Sequence, residues 1–437
     1  MVRVAVPGAE TPHHHGSHEC LLWSPVNSSS ARQGIDAIII PTARRPAYLA
    51  GAARLARDLN CTLVTLHSGK WTSAAGAAGC IPAAVDLIAI DVPEPARLRL
   101  PDWETSRKLA GTVFARRTDT SAKRNLALML SHMLSWSRVL FLDDDMTCLN
   151  ADDVREASGL LDVYNAVGLK NVGFPDNSVV CHAYRDAGGQ QQSFIGGGAL
   201  AVQIKRSNSF FPDIYNEDWF FLLNGDKRLQ PTAIAGQVIQ DAYDPFRNPD
   251  RARAEELGDV LAEGIYWLLD QNKSIMDADK DHWSAFLERR RQFIRHVLRM
   301  VAESPIEPGD KRRRIAALKG SLGRLTLITP WLCEEYLQAW ASDQQRWHRH
   351  LSLLSTRQTR ASALSSLSRK GSPRLTWQLG GQSADREPRE FASIRMSASR
   401  RTGFASPGGL RAMPILEIGH DERSAKAFVG TGTGSRS

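Results

Sequence analysis

Apolar and polar positions along this chain of 437 residues change period several times, and each change predicts an element. In "IDAIIIPTARRPAYLAGAARLARDL" an isoleucine-rich run stops at Pro41, and Tyr48, Leu49, Ala52, Leu55, Ala56 and Leu59 then recur at helical spacing. That sequence reads as strand, loop and helix. "CTLVTLHSG" predicts a second strand closing in a turn, and "VDLIAIDVP" a third, ended by Pro93. "TSAKRNLALMLSHMLSW" carries the stripe Leu126, Leu130, Met133 and Leu134 of a helix laid on a sheet. It leads into "RVLFLDDD", whose unbroken apolar run suits a central strand buried on both faces. Strands alternating with helices predict an α/β fold with a mostly parallel sheet flanked by helices.

Beyond Asn150 the pattern loosens. "DVREASGLLDVYNAV" predicts a short helix, "VVCHAY" and "GGGALAVQI" strands, "NEDWFFLLNG" a helix start and "TAIAGQVIQDAY" a late strand. From Asp250 the chain turns helical, through "AEELGDVLAEGIYWLL", "HWSAFLERRRQFIRHVLRMV" and a stretch around "WLCEEYLQAW". The run "ERRR" alternates with Phe286, Phe293 and Ile294 and reads as a solvated helix face. Residues 1–34 are rich in Pro, Gly, Ser and His and predict a disordered leader; His13, His14, His15 and His18 in it read as an incidental tract. Residues 356–437, dominated by Ser, Arg, Gly and Pro, predict a disordered basic tail. The expected organisation is a leader (1–34), an α/β domain (35–270), a C-terminal helical extension (271–355) and the tail, with no internal repeat.

Charge changes this picture little. The net charge of +8 resides in the tail, which holds 14 basic and 6 acidic residues, while residues 1–355 balance at 41 of each. A neutral folded part argues against a nucleic-acid partner. Six cysteines, at 20, 61, 80, 148, 181 and 333, form no CxxC pair, and isolated reduced thiols are the expectation. No apolar stretch approaches the roughly 20 residues that cross a bilayer. With no signal-peptide pattern at the start, a cytoplasmic location is expected, and the basic tail leaves peripheral membrane contact open.

The candidate chemistry gathers at "VLFLDDDM". In an open α/β sheet, ligands bind beyond the carboxyl ends of the strands. Three adjacent carboxylates there repel one another and are readily held by a cation. Asp143 and Asp145 share one side of an extended chain, with Asp144 on the other, so a divalent ion carrying a diphosphate suits that pair. A polar loop after a strand also accounts for the acids. The spacing D-x-D-x-T of Asp143, Asp145 and Thr147 equally satisfies a haloacid-dehalogenase-type phosphatase, with Asp143 as nucleophile and Asp145 as general acid.

The ordered set "IIIPTARRPAYL", "AKRNLAL", "FLDDDM", "IGGGALAV" and "YNEDWFF", from Ile35 to Leu269, resembles GT-A-type glycosyltransferases, particularly inverting enzymes of the large family-2-like group. The resemblance implies a GT-A-like sheet and a metal-dependent, hexosyltransferase-like enzyme. Such an enzyme moves a sugar from a nucleotide-diphosphate donor to a hydroxyl acceptor, with Mn2+ or Mg2+. By that resemblance Pro41, Thr42 and Arg45 line the nucleotide site, and Lys123 and Arg124 face the diphosphate. Asp143 contacts the ribose or a metal-bound water, Asp145 the metal, and Gly196, Gly197 and Gly198 let backbone approach the donor sugar. Asp218 is the general base, with Glu217 its neighbour. A solvated helix start for Lys123, a flexible turn for the glycines and helix-terminus electrostatics for the two acids explain the same letters. The chain departs from the family at "TLHSGKW", where His67 and Ser68 stand in place of a base-reading acid and Asp91 is a possible substitute. Gln240, Asp241 and Asp244 form no diagnostic ligand pattern. That departure keeps a non-catalytic nucleotide-sugar-binding protein among the expectations, beside the phosphatase.

Overall fold

The structure, a computed structural model, describes residues 18–23, 33–147, 149–175, 177–191, 194–224 and 228–381. His13, His14, His15, Cys148 and the tail beyond Gly381 lie outside the described residues. The first half alternates as expected: β1 (Ala37–Thr42), α1 (Ala50–Leu59), β2 (Thr62–His67), α2 (Ala74–Cys80), β3 (Leu87–Asp91), α3 (Glu104–Leu109), α4 (Thr120–Met133), β4 (Arg138–Leu142) and β5 (Met146–Thr147). Next come α5 (Ala151–Leu160), β6 (Ala166–Asn171), α6 (Val179–Asp186), β7 (Ala199–Gln203), α7 (Glu217–Leu222), β8 (Leu223–Asn224), β9 (Arg228–Leu229) and β10 (Thr232–Gln240). Then follow α8 (Asp250–Asp270), α9 (Lys280–Glu303), α10 (Pro308–Leu325), α11 (Pro330–Ser352), α12 (Arg360–Ser365) and β11 (Thr376–Gly380).

Among the described residues, nine strands form one mixed sheet in the order β11-β3-β2-β1-β4-β7-β6-β10-β5. β1, β2, β3, β4, β6 and β10 point the same way, and β5, β7 and β11 run against them. Alternation along the central strands feeds two cores. Ile38 and Ile40 face α1, α2 and α5, whereas Ala37 and Ile39 face α4 and the later helices. Helices therefore cover both faces, which is what unbroken apolar strands require.

"VVCHAY" is helical, as α6, against the strand expectation. Val179 N donates to the Glu255 carboxylate (2.9 Å), capping the helix start, and α6 is buried against α8, α9 and α10. That packing overrides the β preference of two valines. The helices of the extension share one continuous core with α4 and the sheet. Arg290 of "ERRR" is 4% exposed, against the expectation of a solvated face.

Order also extends past the expected boundaries at both ends. His18 is buried on α8, and Trp23 N donates to the Thr232 carbonyl (3.0 Å). At the other end, Arg360 pairs bidentately with Asp86 (2.5 and 2.6 Å) and β11 adds antiparallel to β3, covering a sheet edge. Scattered single apolar residues suffice there because Leu364, Leu367 and Leu375 bury onto a core that already exists. Among the described residues, no helix is long and apolar enough to cross a membrane.

Candidate functional site

β1 has β2 on one side and β4 on the other, so the strand order reverses between β1 and β4. The crevice beyond their carboxyl ends is where an open sheet receives ligands. Asp143, Asp144 and Asp145 sit at this point. Asp143 N donates to the Gly198 carbonyl (2.9 Å), which ties the turn to β7. Asp144 accepts from Thr42 Oγ1 (2.5 Å) and pairs with Arg44 (3.3 Å). Asp145 Oδ2 accepts from Arg44 and Gln240, both at 3.4 Å, while its buried Oδ1 has no hydrogen-bond partner among the described residues. Burial raises the pKa of all three carboxyls. Arg124 opposes this at Asp143, the Thr42 hydrogen bond at Asp144 and Arg44 at Asp145.

Behind this turn lies a chain of ion pairs. Arg124, on the buried side of α4, donates to Asp143 Oδ1 (2.9 Å) and Glu217 Oε1 (3.0 Å), and Arg116 holds Glu217 Oε2 (3.0 Å). The Arg124 guanidinium, its pKa raised because Asp143 and Glu217 outweigh the cost of burial, is a fixed cation. A cavity of about 210 Å3 opens beside it, lined by Asp143, Arg124, Glu217, Asp218, Asp259 and Glu263 among others. Asn216 adopts a left-handed turn (φ 60°), a conformation asparagine tolerates, and this presents the next two acids to the cavity. Asp218 accepts from Gly197 N (2.6 Å) and Trp219 N (2.9 Å). Burial first, then the adjacent Glu217, raises its pKa, against Arg124 and those two amides.

The structure brings Thr42, Arg124, Asp143, Asp145, Gly196, Gly197, Gly198, Glu217 and Asp218 to this one end of the sheet, and it gives several of them different work from that expected. Lys123 is 2% exposed and bonds to the Thr42 carbonyl (3.0 Å), Ser68 Oγ (2.6 Å) and Asp119 (3.0 Å). All three of its protons are thereby matched to protein acceptors. Arg45 turns outward over Trp71 (5.5 Å), and Arg44 reaches the carboxylates. Pro41 lies within β1, opposite Leu66. A Cβ at Gly197 would stand 2.5 Å from Arg124 Nη1, and one at Gly198 2.4 Å from Met146. The close approach these glycines permit is thus to protein groups. His67 sits between Thr65 (2.8 Å) and Thr72 (2.7 Å), its pKa lowered to about 4 by burial and by Lys123, while Asp91 accepts from Ala74 N (2.7 Å). Ser68 is spent on Lys123. Asp241 N donates to the Asp145 carbonyl (2.9 Å), which puts the end of β10 at the acidic turn, whereas Asp244 pairs away from it with Arg313.

Sequence reading missed Arg44, Arg116, His18, Asp259 and Glu263. A signal existed for the last two: Glu256, Asp259 and Glu263 recur at helical spacing in a mostly apolar stretch, which puts them on one face. Nothing in the letters separates Arg44 from Arg45, or His18 from its neighbours.

Among the described residues, no group of three or more His, Cys, Asp or Glu side chains converges as a metal-ligand set. A hard cation held chiefly by substrate phosphates and water needs only one or two carboxylates. Asp143 and Asp145, with the unpartnered Oδ1, fit that demand. No family model matches the sequence, and no curated protein matches it. Among solved structures the chain is similar to the mannosyltransferase PcManGT from Pyrobaculum calidifontis in complex with GDP-Man and Mn2+. The identity is 15%, over 74% of this chain and 90% of that one, with a TM-score of 0.36. A likeness that loose says nothing about the chemistry of this chain.

Proposed function

We propose that the chain is a GT-A-like, metal-dependent glycosyltransferase that moves a sugar from a nucleotide-diphosphate donor to a hydroxyl acceptor with inversion. One observation carries the reading. Asp143 belongs at once to the acidic turn at the β1–β4 crevice and to the lining of a polar cavity that also holds Asp218. A diphosphate end and a sugar end would meet there.

Thr42 and Arg44 stand on the nucleotide side, with Lys123 tying the β1 and β2 loops together from below. Asp143 and Asp145 would hold Mn2+ or Mg2+, which when bound neutralises charge on the leaving diphosphate. Glu217 is committed to Arg116 and Arg124, so Asp218 is the carboxylate left to work as general base. Its raised pKa suits taking the acceptor proton as the hydroxyl oxygen attacks the anomeric carbon and the nucleotide diphosphate departs. Arg124 holds Asp143 and Glu217 in register beside that event. The same pairing weighs against Asp143 as a phosphatase nucleophile, and Thr147 Oγ1 is turned to the Ile239 carbonyl (3.1 Å).

A panel of UDP- and GDP-sugars with Mn2+ or Mg2+, followed by thermal stabilisation and nucleotide release, tests the reading. Stabilisation should require the metal and vanish in Asp145→Asn. Asp218→Asn should bind donor normally and lose about 10²–10⁴-fold in transfer. Stabilisation without metal, unchanged in Asp145→Asn, would overturn the proposal.

A further inference from the structure

His18, in a stretch expected to belong to a disordered leader, lines the cavity of the site. His18 is 3% exposed, and its ring stands edge-on to Trp219 and Tyr266 (both 5.4 Å) and Phe194 (6.3 Å). Its Nδ1 lies 2.6 Å from Asp270 Oδ2 and its Nε2 3.1 Å from Glu263 Oε2, both on α8. With both carboxyl groups ionised, each accepts from a ring nitrogen, and the ring that satisfies the two is an imidazolium. His18 lines the cavity of Asp143 and Asp218, and Glu19 lines the neighbouring cavity of about 310 Å3, which shares Gly196 and Gly198. Leu21 and Leu22 pack on the core.

The contacts lead to the proposed base. Tyr266 Oη donates to the Trp219 carbonyl (2.9 Å), and Trp219 N donates to Asp218 Oδ1. Trp219 is therefore held by Tyr266, which bonds its carbonyl and packs on its ring, and by the His18 ring, and its amide in turn bonds Asp218. We propose that His18 is a working wall of this cavity, and that it is a positioning residue whose imidazolium sets Trp219 and through it the Asp218 carboxylate. The positioning role rests on the transfer reading, and the wall does not. Burial opposes the charge of His18, but hydrogen bonds to Asp270 and Glu263 outweigh it and push its pKa up to about 9, so the cation persists at neutral pH.

Cys181 supplies a readout independent of activity. It lines the same cavity, is 4% exposed, and its thiol is pushed up to about 12 by burial. In the full chain, His18→Ala should make Cys181 react with iodoacetamide at least about tenfold faster, as mapped by peptide mass. With a nucleotide sugar, the same variant should keep donor affinity within about twofold and lose at least about tenfold in kcat. Added imidazole, which fits the vacated box, should reverse both changes. A variant with wild-type kcat and an unreactive Cys181 would overturn the proposal. So would losses that imidazole leaves unrestored in a variant melting well below the wild type, since His18 would then be structural only. If the wild type turns over no nucleotide sugar while His18→Ala exposes Cys181 reversibly, the transfer reading falls and the wall stands.

Discussion

Arg124 and Arg290 are two arginines with the same formal arrangement and opposite surroundings. Each is 3–4% exposed and each spans two carboxylates. Arg290 pairs with Glu256 (2.9 and 3.1 Å) and Asp259 (2.7 Å), whose side chains are 1% and 5% exposed, and Ser321 bonds the same Glu256. Arg124 pairs with Glu217, 8% exposed, and Asp143, 32% exposed, while its buried Nε has no partner among the described residues. The first cluster ties α8, α9 and α10 together with its charges spent on one another. The first meets the cavity through Asp259 alone, whereas the second borders it with Arg124, Asp143 and Glu217 and keeps unspent capacity, in Arg124 Nε and in Asp145 Oδ1 nearby. Buried charge pairing is common to both, and it is the unspent polar capacity facing space that separates a candidate site from a structural joint.

The largest effect is expected at the Arg290 joint. Arg290→Met leaves Glu256 and Asp259 buried without their cation, which costs about 3–5 kcal/mol. Asp259 already has its pKa raised to about 7, by burial against the pull of Arg290, so loss of that arginine raises it further. Denaturant unfolding should show the loss, and donor binding by the remaining folded protein should be unchanged. A fall in donor affinity at full stability would erase the distinction between the two arginines.

The wall residue comes next, through pH. His18 has a folded pKa of about 9 against about 6.5 in an unfolded chain. Its stabilisation is therefore complete below pH 6.5, where both states carry the proton, and is lost as pH rises through 9. The full difference is worth about 3 kcal/mol. The melting-temperature gap between wild type and His18→Gln should be wide at pH 6 and narrow at pH 9.5. A gap independent of pH would mean a neutral ring.

These two residues also mark where the sequence stops being legible. The α/β alternation, the acidic strand end, the Gly-rich segment and the Glu217-Asp218 pair could all be read, because period and local chemistry lie within a few adjacent residues. Arg290 could not, since a charge beside Phe286 and Phe293 is a solvated face unless a partner helix brings acids to it. His18 could not either, since its partners Glu263 and Asp270 stand some 250 positions away. Lys123 shows the converse: a lysine before the acidic strand reads as a phosphate ligand, and its three acceptors in the structure arrive from β1, from the β2 loop and from the residue before its own helix. Long-range partners decide whether a charge is spent, and a single sequence does not display them.

Arg124→Met should cost less than Arg290→Met, about 1–3 kcal/mol, because Asp143 reaches water and Arg116 still holds Glu217. Its effect on ligand should be the larger of the two, since Asp143 and Glu217 both lose register. Equal stability losses with equal donor affinities would make the open cluster a second joint.

The smallest stability change is expected at Arg44. Its side chain is 41% exposed and its pairs with Asp144 and Asp145 span 3.3–3.4 Å, so solvent screening limits Arg44→Ala to less than about 1 kcal/mol. Function should respond in the opposite sense. Arg44 is the cation nearest the unpartnered Asp145 oxygen, and it faces the crevice where the diphosphate of a donor would lie. Its loss should weaken nucleotide-sugar binding about tenfold at low salt, and less as salt rises and screens the wild-type contact. Titrations at two ionic strengths separate this from a change of shape, which salt would not diminish. If Arg44→Ala instead binds donor normally, the crevice side of the acidic turn is not where the diphosphate goes, and the unspent capacity at Asp145 needs another occupant.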